Sequence, residues 1–231
     1  MATLDGWWTP SNIRDWFINH RNDPAARNDG TIEMKGASFL ANEPALFGEP
    51  NEYIRRELKW YESMSLNVQD IPGKIPAIWK AISAEDGTVN SNYGYLFWSS
   101  ENGSQAQHVV DTLIRYPSSR EAVAVYNRPS IHTDAFADGR RDFICTNAVH
   151  YLLRDGYLDL VVQMRSNDVV FGYKNDWAWQ KHTQLWVLQQ LRHIVPDLEY
   201  KAGDIYWQVA SLHIYKRHWH FLGDDVREIL K

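Results

Sequence analysis

Cysteine is almost absent from this chain of 231 residues; the one present is Cys145. A lone thiol excludes an intramolecular disulfide and fits a reducing, cytoplasmic setting. No run of about 18 apolar residues occurs, so no membrane-spanning helix is expected. The opening stretch MATLDGWWTPSNIRDW has no basic flank leading into an apolar segment, so no signal peptide is read there. GxxxxGK[ST], GxGxxG, HExxH and GxSxG are all missing, which removes the nucleotide-loop, dinucleotide, metalloprotease and nucleophile-elbow signatures. The nine histidines are scattered, and a zinc site needs several convergent ligands, so no metal is expected. A formal net charge of −5 argues against a nucleic-acid groove. It leaves room for one nucleotide, which needs only a few local arginines.

Tryptophan is abundant, with 11 residues beside 12 Tyr and 8 Phe. Most must fill a core, and some are suited to stacking on flat heterocycles. No repeat, low-complexity tract or long linker interrupts the chain, so residues 1–231 read as one domain. Helices are expected after the N-terminus, over residues 52–63 with Tyr53, Ile54, Leu58 and Tyr61 at helical spacing, and over residues 105–116 up to Pro117. A further long helix is expected over residues 177–195, deeply buried through Leu185, Trp186, Val187, Leu188 and Leu191. Residues 31–40, 122–126, 143–153, 157–164, 168–171 and 204–215 read as strands, with RDG at 154–156 as a tight turn. Pro72, Gly73 and Pro76 mark a loop before Ile78 and Trp79. The order of elements predicts a mixed α/β (α+β) fold.

Residues 142–180, DFICTNAVHYLLRDGYLDLVVQMRSNDVVFGYKNDWAWQ, carry a stronger signal. With KGASFLANEP at 35–44, YIRRELKWYESMSLNVQDIPG at 53–73, NSNYG at 90–94, YNRPS at 126–130 and YKAGDIYWQVASLHIYKRH at 200–218, they resemble the deoxycytidylate 5-hydroxymethylases of the thymidylate synthase superfamily. The resemblance implies the thymidylate synthase fold, a mixed β-sheet flanked by helices, paired back to back in a homodimer. It implies 5,10-methylenetetrahydrofolate as cofactor and a pyrimidine nucleoside monophosphate as substrate. The expected activity is one-carbon transfer to carbon 5 of a cytidine nucleotide, dCMP favoured, with hydration to the hydroxymethyl product. No membrane and no nucleic-acid partner is expected.

Each site residue has a plain reading beside the implied one. Cys145 is either a small buried hydrophobe or, as the resemblance implies, the nucleophile that adds to carbon 6. Glu57 is a solvated helix glutamate or a general acid–base. Asp176 is a helix N-cap or the reader of the cytosine edge, where thymidylate synthases carry Asn. Arg165 and Ser166 are expected on the phosphate, with Arg120 reaching in from the partner subunit and Arg27 as a further contact. His213 and Tyr215 fill a strand face or bind the sugar hydroxyl. Trp79 covers the pterin or packs as a lid, Asp168 meets the pterin's polar edge, and Tyr93 joins the proton-transfer network. One departure stands out: Arg120 is followed by Glu121, where the family pattern has a second arginine. The C-terminal VREILK either closes over the ligands or packs.

Three other readings stay open at this level. They are a CMP hydroxymethylase of an antibiotic-type pathway, a dUMP hydroxymethylase or thymidylate synthase, and an inactive nucleotide- or RNA-binding homologue.

Overall fold

A computed structural model describes residues 7–21, 30–196 and 199–223. Helix α1 (Pro10–Asn19) leads into strand β1 (Ile32–Leu40). Helices α2 (Glu52–Glu62), α3 (Ala77–Ile82), α4 (Tyr93–Trp98) and α5 (Gln105–Arg115) follow. Strand β2 (Val123–Val125), helix α6 (Ile131–Asp134), strands β3 (Thr146–Arg154) and β4 (Tyr157–Asp168), helix α7 (Gly172–Ile194) and strand β5 (Lys201–Ile214) come next, and a 3-10 helix over Lys216–Leu222 follows β5. The strands form one sheet in the order β1-β5-β4-β3-β2.

Among the five strands of this sheet β4 and β5 pair in parallel, and the other neighbours are antiparallel. Parallel neighbours need a crossover, and the 23-residue α7 supplies it. The β3–β4 connection is the tight turn the RDG sequence predicts. Asp155 and Gly156 both take positive φ, 49° and 81°, as a two-residue hairpin turn that matches strand twist requires.

Strand alternation sorts the sheet into two faces. Leu158, Leu160, Val162 and Met164 of β4, with Ile205, Trp207 and Val209 of β5, are buried on the helix side. Each such side chain contributes on the order of 1.5–3 kcal/mol. The opposite face, carrying His150, Val161, Gln163, Tyr206 and Gln208, is only partly buried. On the helix side an aromatic layer fills the core. Trp179 meets Tyr61 edge-on at 5.2 Å, Trp98 at 5.3 Å and Phe97 at 6.2 Å.

Several sequence expectations need correction. The strand expected over 168–171 does not exist: β4 runs on to Asp168, and the chain then turns straight into α7. That helix starts at Gly172 rather than 177, so Asp176 lies one turn inside it and is no N-cap. Leu185 is 51% exposed because helical phase buries Gln184, Val187, Leu188 and Leu191 instead. On α2 the buried face is Glu57, Trp60 and Tyr61; Tyr53, Ile54 and Leu58 are partly exposed. Cys145 precedes β3 at a bend rather than lying within a strand. Trp79 is a buried residue of α3 and not an exposed loop residue.

Candidate active site

A cleft of about 780 Å³ opens where α2, α3, α4 and the start of α7 meet the ends of β4 and β5. It gathers ten of the twelve predicted site residues: Cys145, Glu57, Asp176, Tyr93, Arg165, Ser166, His213, Tyr215, Trp79 and Asp168. Arg120 does not line it, and lies exposed beyond the end of α5. Arg27 and the VREILK segment lie outside the described residues.

Local sequence explains how each wall is positioned. Asn51 caps α2 by accepting from the Tyr53 amide at 3.0 Å, and Glu57 follows Tyr53 by one helical turn. Asn92 caps α4 by accepting from the Tyr95 amide at 2.8 Å. Its Nδ2 donates to the carbonyls of Trp60 at 3.0 Å and Ser65 at 2.8 Å, which fixes Tyr93 against α2. Asp168 accepts from the amides of Val170 and Phe171, both at 3.1 Å. Those bonds bend the chain into α7 and bring Asp176 back over the end of β4.

At the cleft floor Arg165 Nη2 lies 3.5 Å from Cys145 Sγ. The same guanidinium donates to the Ile144 carbonyl at 2.9 Å and to the Phe143 carbonyl, and stacks on the Phe143 ring at 4.9 Å. Burial pushes the Cys145 thiol up to about 11, and Arg165 opposes that rise. Cys145 is therefore a thiol at neutral pH.

Two carboxyls line the same cleft, Glu57 buried and Asp176 partly buried. Glu57 Oε1 accepts from Tyr53 Oη at 2.8 Å and from Trp79 Nε1 at 3.2 Å. Trp79 Nε1 also donates to Tyr53 Oη at 2.5 Å. Burial raises Glu57 to about 7, with the two donors pulling the other way. Asp176 is held well above the ordinary carboxylate range, first by burial and next by the nearby Glu57. Its Oδ2 accepts from Asn167 Nδ2 at 2.7 Å. Glu57 is thus poised to exchange protons near neutral pH, while Asp176 holds a proton more tightly than an ordinary carboxyl and, when protonated, offers one donor and one acceptor.

Sequence reasoning missed several cleft residues. Tyr53 was legible only as a hydrophobic-face residue, although its spacing of four from Glu57 on one helix is the signal for contact. Asn167 and Arg217 carried no local signal. Arg217 lies 4.2 Å over the Tyr215 ring. Asp142 accepts from the amides of Asn90 at 2.6 Å and Ser91 at 2.8 Å, tying the loop before α4 to the segment that carries Cys145. Among the described residues no cluster of metal-ligating side chains occurs, and no helix is long and apolar enough to cross a membrane.

This sequence and fold have known counterparts. The family model described as thymidylate synthase matches residues 50–229, and the chain belongs to that family. The deoxycytidylate 5-hydroxymethyltransferases of Enterobacteria phages T6 and T4 are each 49% identical to it over 193 residues, 83% of this chain and 78% of theirs. The thymidylate synthase of Bacillus licheniformis is 29% identical over 170 residues, 71% of this chain and 57% of that protein. The solved structure of thermostable thymidylate synthase A from Bacillus subtilis superposes with a TM-score of 0.66 at 18% identity. That superposition covers 93% of this chain and 83% of the other, and it shows the shared fold.

Proposed function

We propose that this chain is a folate-dependent 5-hydroxymethylase of a cytidine nucleotide, with dCMP favoured. The overall reaction consumes dCMP, 5,10-methylenetetrahydrofolate and water, and yields 5-hydroxymethyl-dCMP and tetrahydrofolate. The observation that carries the reading is the Cys145–Arg165 pair, 3.5 Å apart, in a cleft shared with the two raised carboxyls Glu57 and Asp176. The 49% identity to phage deoxycytidylate 5-hydroxymethyltransferases supports the substrate and the hydration outcome.

Cys145 Sγ adds to carbon 6 of the pyrimidine, forming a carbon–sulfur bond as the thiol proton passes to solvent water. The electron pair of the 5,6 double bond becomes available at carbon 5, which turns nucleophilic. Arg165 stabilises the sulfur's charge during attack, and with Ser166 it takes the phosphate. Asp176 pairs with the cytosine edge, and Glu57 accepts and returns protons near the base. Tyr93, beside Asp176, completes the proton network. His213 and Tyr215 hold the sugar hydroxyl. Arg27 and the partner subunit's Arg120 supply the remaining phosphate charge.

The cleft fits a folate. It falls within the size range of ligand sites, and its lining includes Ile78 and Phe171, which are 60% and 44% exposed. Exposed apolar side chains beside the Asp168 carboxylate suit a flat ring with a polar edge. Trp79 and Asp168 would hold 5,10-methylenetetrahydrofolate, which supplies the one-carbon unit when bound. The partly buried sheet face opposite α7 supports a back-to-back homodimer, and residues 1–231 act as one catalytic domain.

The test is tritium release from dCMP labelled at carbon 5, in the presence of tetrahydrofolate and formaldehyde, with mass analysis of the product. Release with a gain of one hydroxymethyl group is expected. A folded protein that releases tritium from neither dCMP nor CMP nor dUMP overturns the assignment.

A further inference from the structure

Asn167 is buried, 3% exposed, and lies at the end of β4 between Ser166 and Asp168, all lining the cleft. Its Nδ2 donates to Asp176 Oδ2 at 2.7 Å. A Cβ at Gly172 would sit 3.2 Å from that Nδ2, so the glycine leaves the amide close-packed room beside the first turn of α7. We propose that Asn167 determines base specificity by confining the Asp176 proton to Oδ1, which fits cytosine and refuses uracil. This inference rests on the function proposed above.

The argument is one of donors and acceptors. An oxygen that already receives an N–H donor is poorly placed to carry its own proton, because two hydrogens would face each other. Asp176 Oδ2 is therefore the accepting oxygen, and a proton on this carboxyl sits on Oδ1. The pairing edge of cytosine offers one donor, the amino group at carbon 4, and one acceptor, nitrogen 3. It matches this carboxyl when the amino group lies on Oδ2 and nitrogen 3 on Oδ1–H, the docking this inference takes. The match survives if the proton moves from Oδ1 to nitrogen 3, since the same two hydrogen bonds remain.

Uracil reverses both groups: oxygen 4 accepts and nitrogen 3 donates. A free carboxyl could adapt by moving its proton to the oxygen facing oxygen 4. The ring itself cannot turn over to compensate, because carbon 6 is committed to Cys145 and the phosphate to Arg165. Asn167 blocks the proton's move, so uracil would leave oxygen 4 against an acceptor. Buried mismatches of this kind discriminate strongly.

The variants Asn167→Asp, which keeps the shape but can replace the donor with an acceptor, and Asn167→Ala test this. Tritium release from carbon-5-labelled dCMP and dUMP is compared for wild type and both variants, each checked for folding by thermal melt. The dCMP-to-dUMP ratio of kcat/KM is expected to fall at least about tenfold in both variants, as expected when a polar discriminator is lost. Asn167→Ala serves as the readout should Asn167→Asp fail to fold, and the reverse. Equal losses on both nucleotides, with the ratio unchanged in a folded variant, would mean a purely structural role and overturn the inference. A wild type inactive on dCMP would instead count against the function itself.

Discussion

Arg165 Nη2 stands 3.5 Å from Cys145 Sγ, and its guanidinium is tied to the carbonyls of the two residues just before that cysteine. Cation and sulfur thus move as one rigid unit. Coulomb attraction at this distance favours the thiolate, yet burial outweighs it and leaves the thiol near 11. Burial thus keeps the sulfur as a thiol at neutral pH, with a guanidinium in place to stabilise a thiolate once one forms.

That balance sets its reactivity. A thiol near 11, against 9.0 for an unperturbed cysteine, is expected to alkylate with iodoacetamide about a hundredfold more slowly at pH 7. The rate should climb steadily through pH 9, and Arg165→Met should slow it further at any fixed pH, since removing the cation raises the thiol. A rate already at plateau by pH 7 would contradict this account.

Glu57 near 7 places an inflection in the pH–activity profile close to neutrality. Tyr53 donates to the Glu57 carboxylate at 2.8 Å and so favours its ionised form. Tyr53→Phe is expected to move the inflection to higher pH, whereas Glu57→Gln should lower kcat by about 10²–10⁴-fold. A Tyr53→Phe profile that drops in height with no change in its inflection would assign the phenol a packing role alone.

The same carboxyl carries a stability cost. Its folded value, about 7, lies above the unfolded reference of 4.5, so the folded state binds the proton more tightly. The associated stability is full below pH 4.5 and is lost as pH rises through 7. The difference amounts to about 3 kcal/mol. Glu57→Gln has no charge to bury. Denaturant unfolding should show the variant gaining on wild type by about 3 kcal/mol between pH 4 and pH 8. A gap that stays constant with pH would show that the carboxylate is better solvated than its burial implies.

Gly94 sets the spacing of α2 and α4. A Cβ there would lie 1.7 Å from the Tyr61 carbonyl oxygen, a backbone atom that cannot swing aside. Gly94→Ala must push α4 away from α2 and carry Tyr93 with it. A loss of about 3 kcal/mol in stability is expected, as for a severe overpacking change, with activity falling as well. Wild-type melting temperature in the variant would refute the packing argument.

How much of this was legible in sequence depended on whether the signal was local. The β3–β4 turn was read correctly because Asp155 and Gly156 are the residues that tolerate positive φ. Cys145, Arg165 and Asp176 were picked out through family resemblance, and the fold brings them to one cleft. The start of α7 was misplaced because Phe171 makes no side-chain cap bond. The turn is instead made by Asp168, four residues before Gly172 and still on β4. Leu185 misled because hydrophobicity was counted without helical phase. Asn167 and Asp142 were invisible because their partners, Asp176 and the Asn90–Ser91 backbone, are assembled only by the tertiary fold.

Arg120 is the predicted site residue that the described subunit leaves outside its own cleft. Its loop is held by Arg154, whose Nη2 donates to the Ser119 carbonyl at 3.3 Å, and the residue itself is exposed. In a two-fold dimer each such arginine can serve the other subunit's phosphate. Arg120→Ala alone should raise KM for dCMP, and Cys145→Ser alone should abolish turnover. A heterodimer of the two has one cleft with both defects and one with neither. Random exchange of equal amounts makes half the dimers mixed, so about a quarter of wild-type activity should return. Verified mixed dimers that recover nothing would place Arg120 outside the partner's site and leave Arg165 and Ser166 with Arg27 as the phosphate's holders.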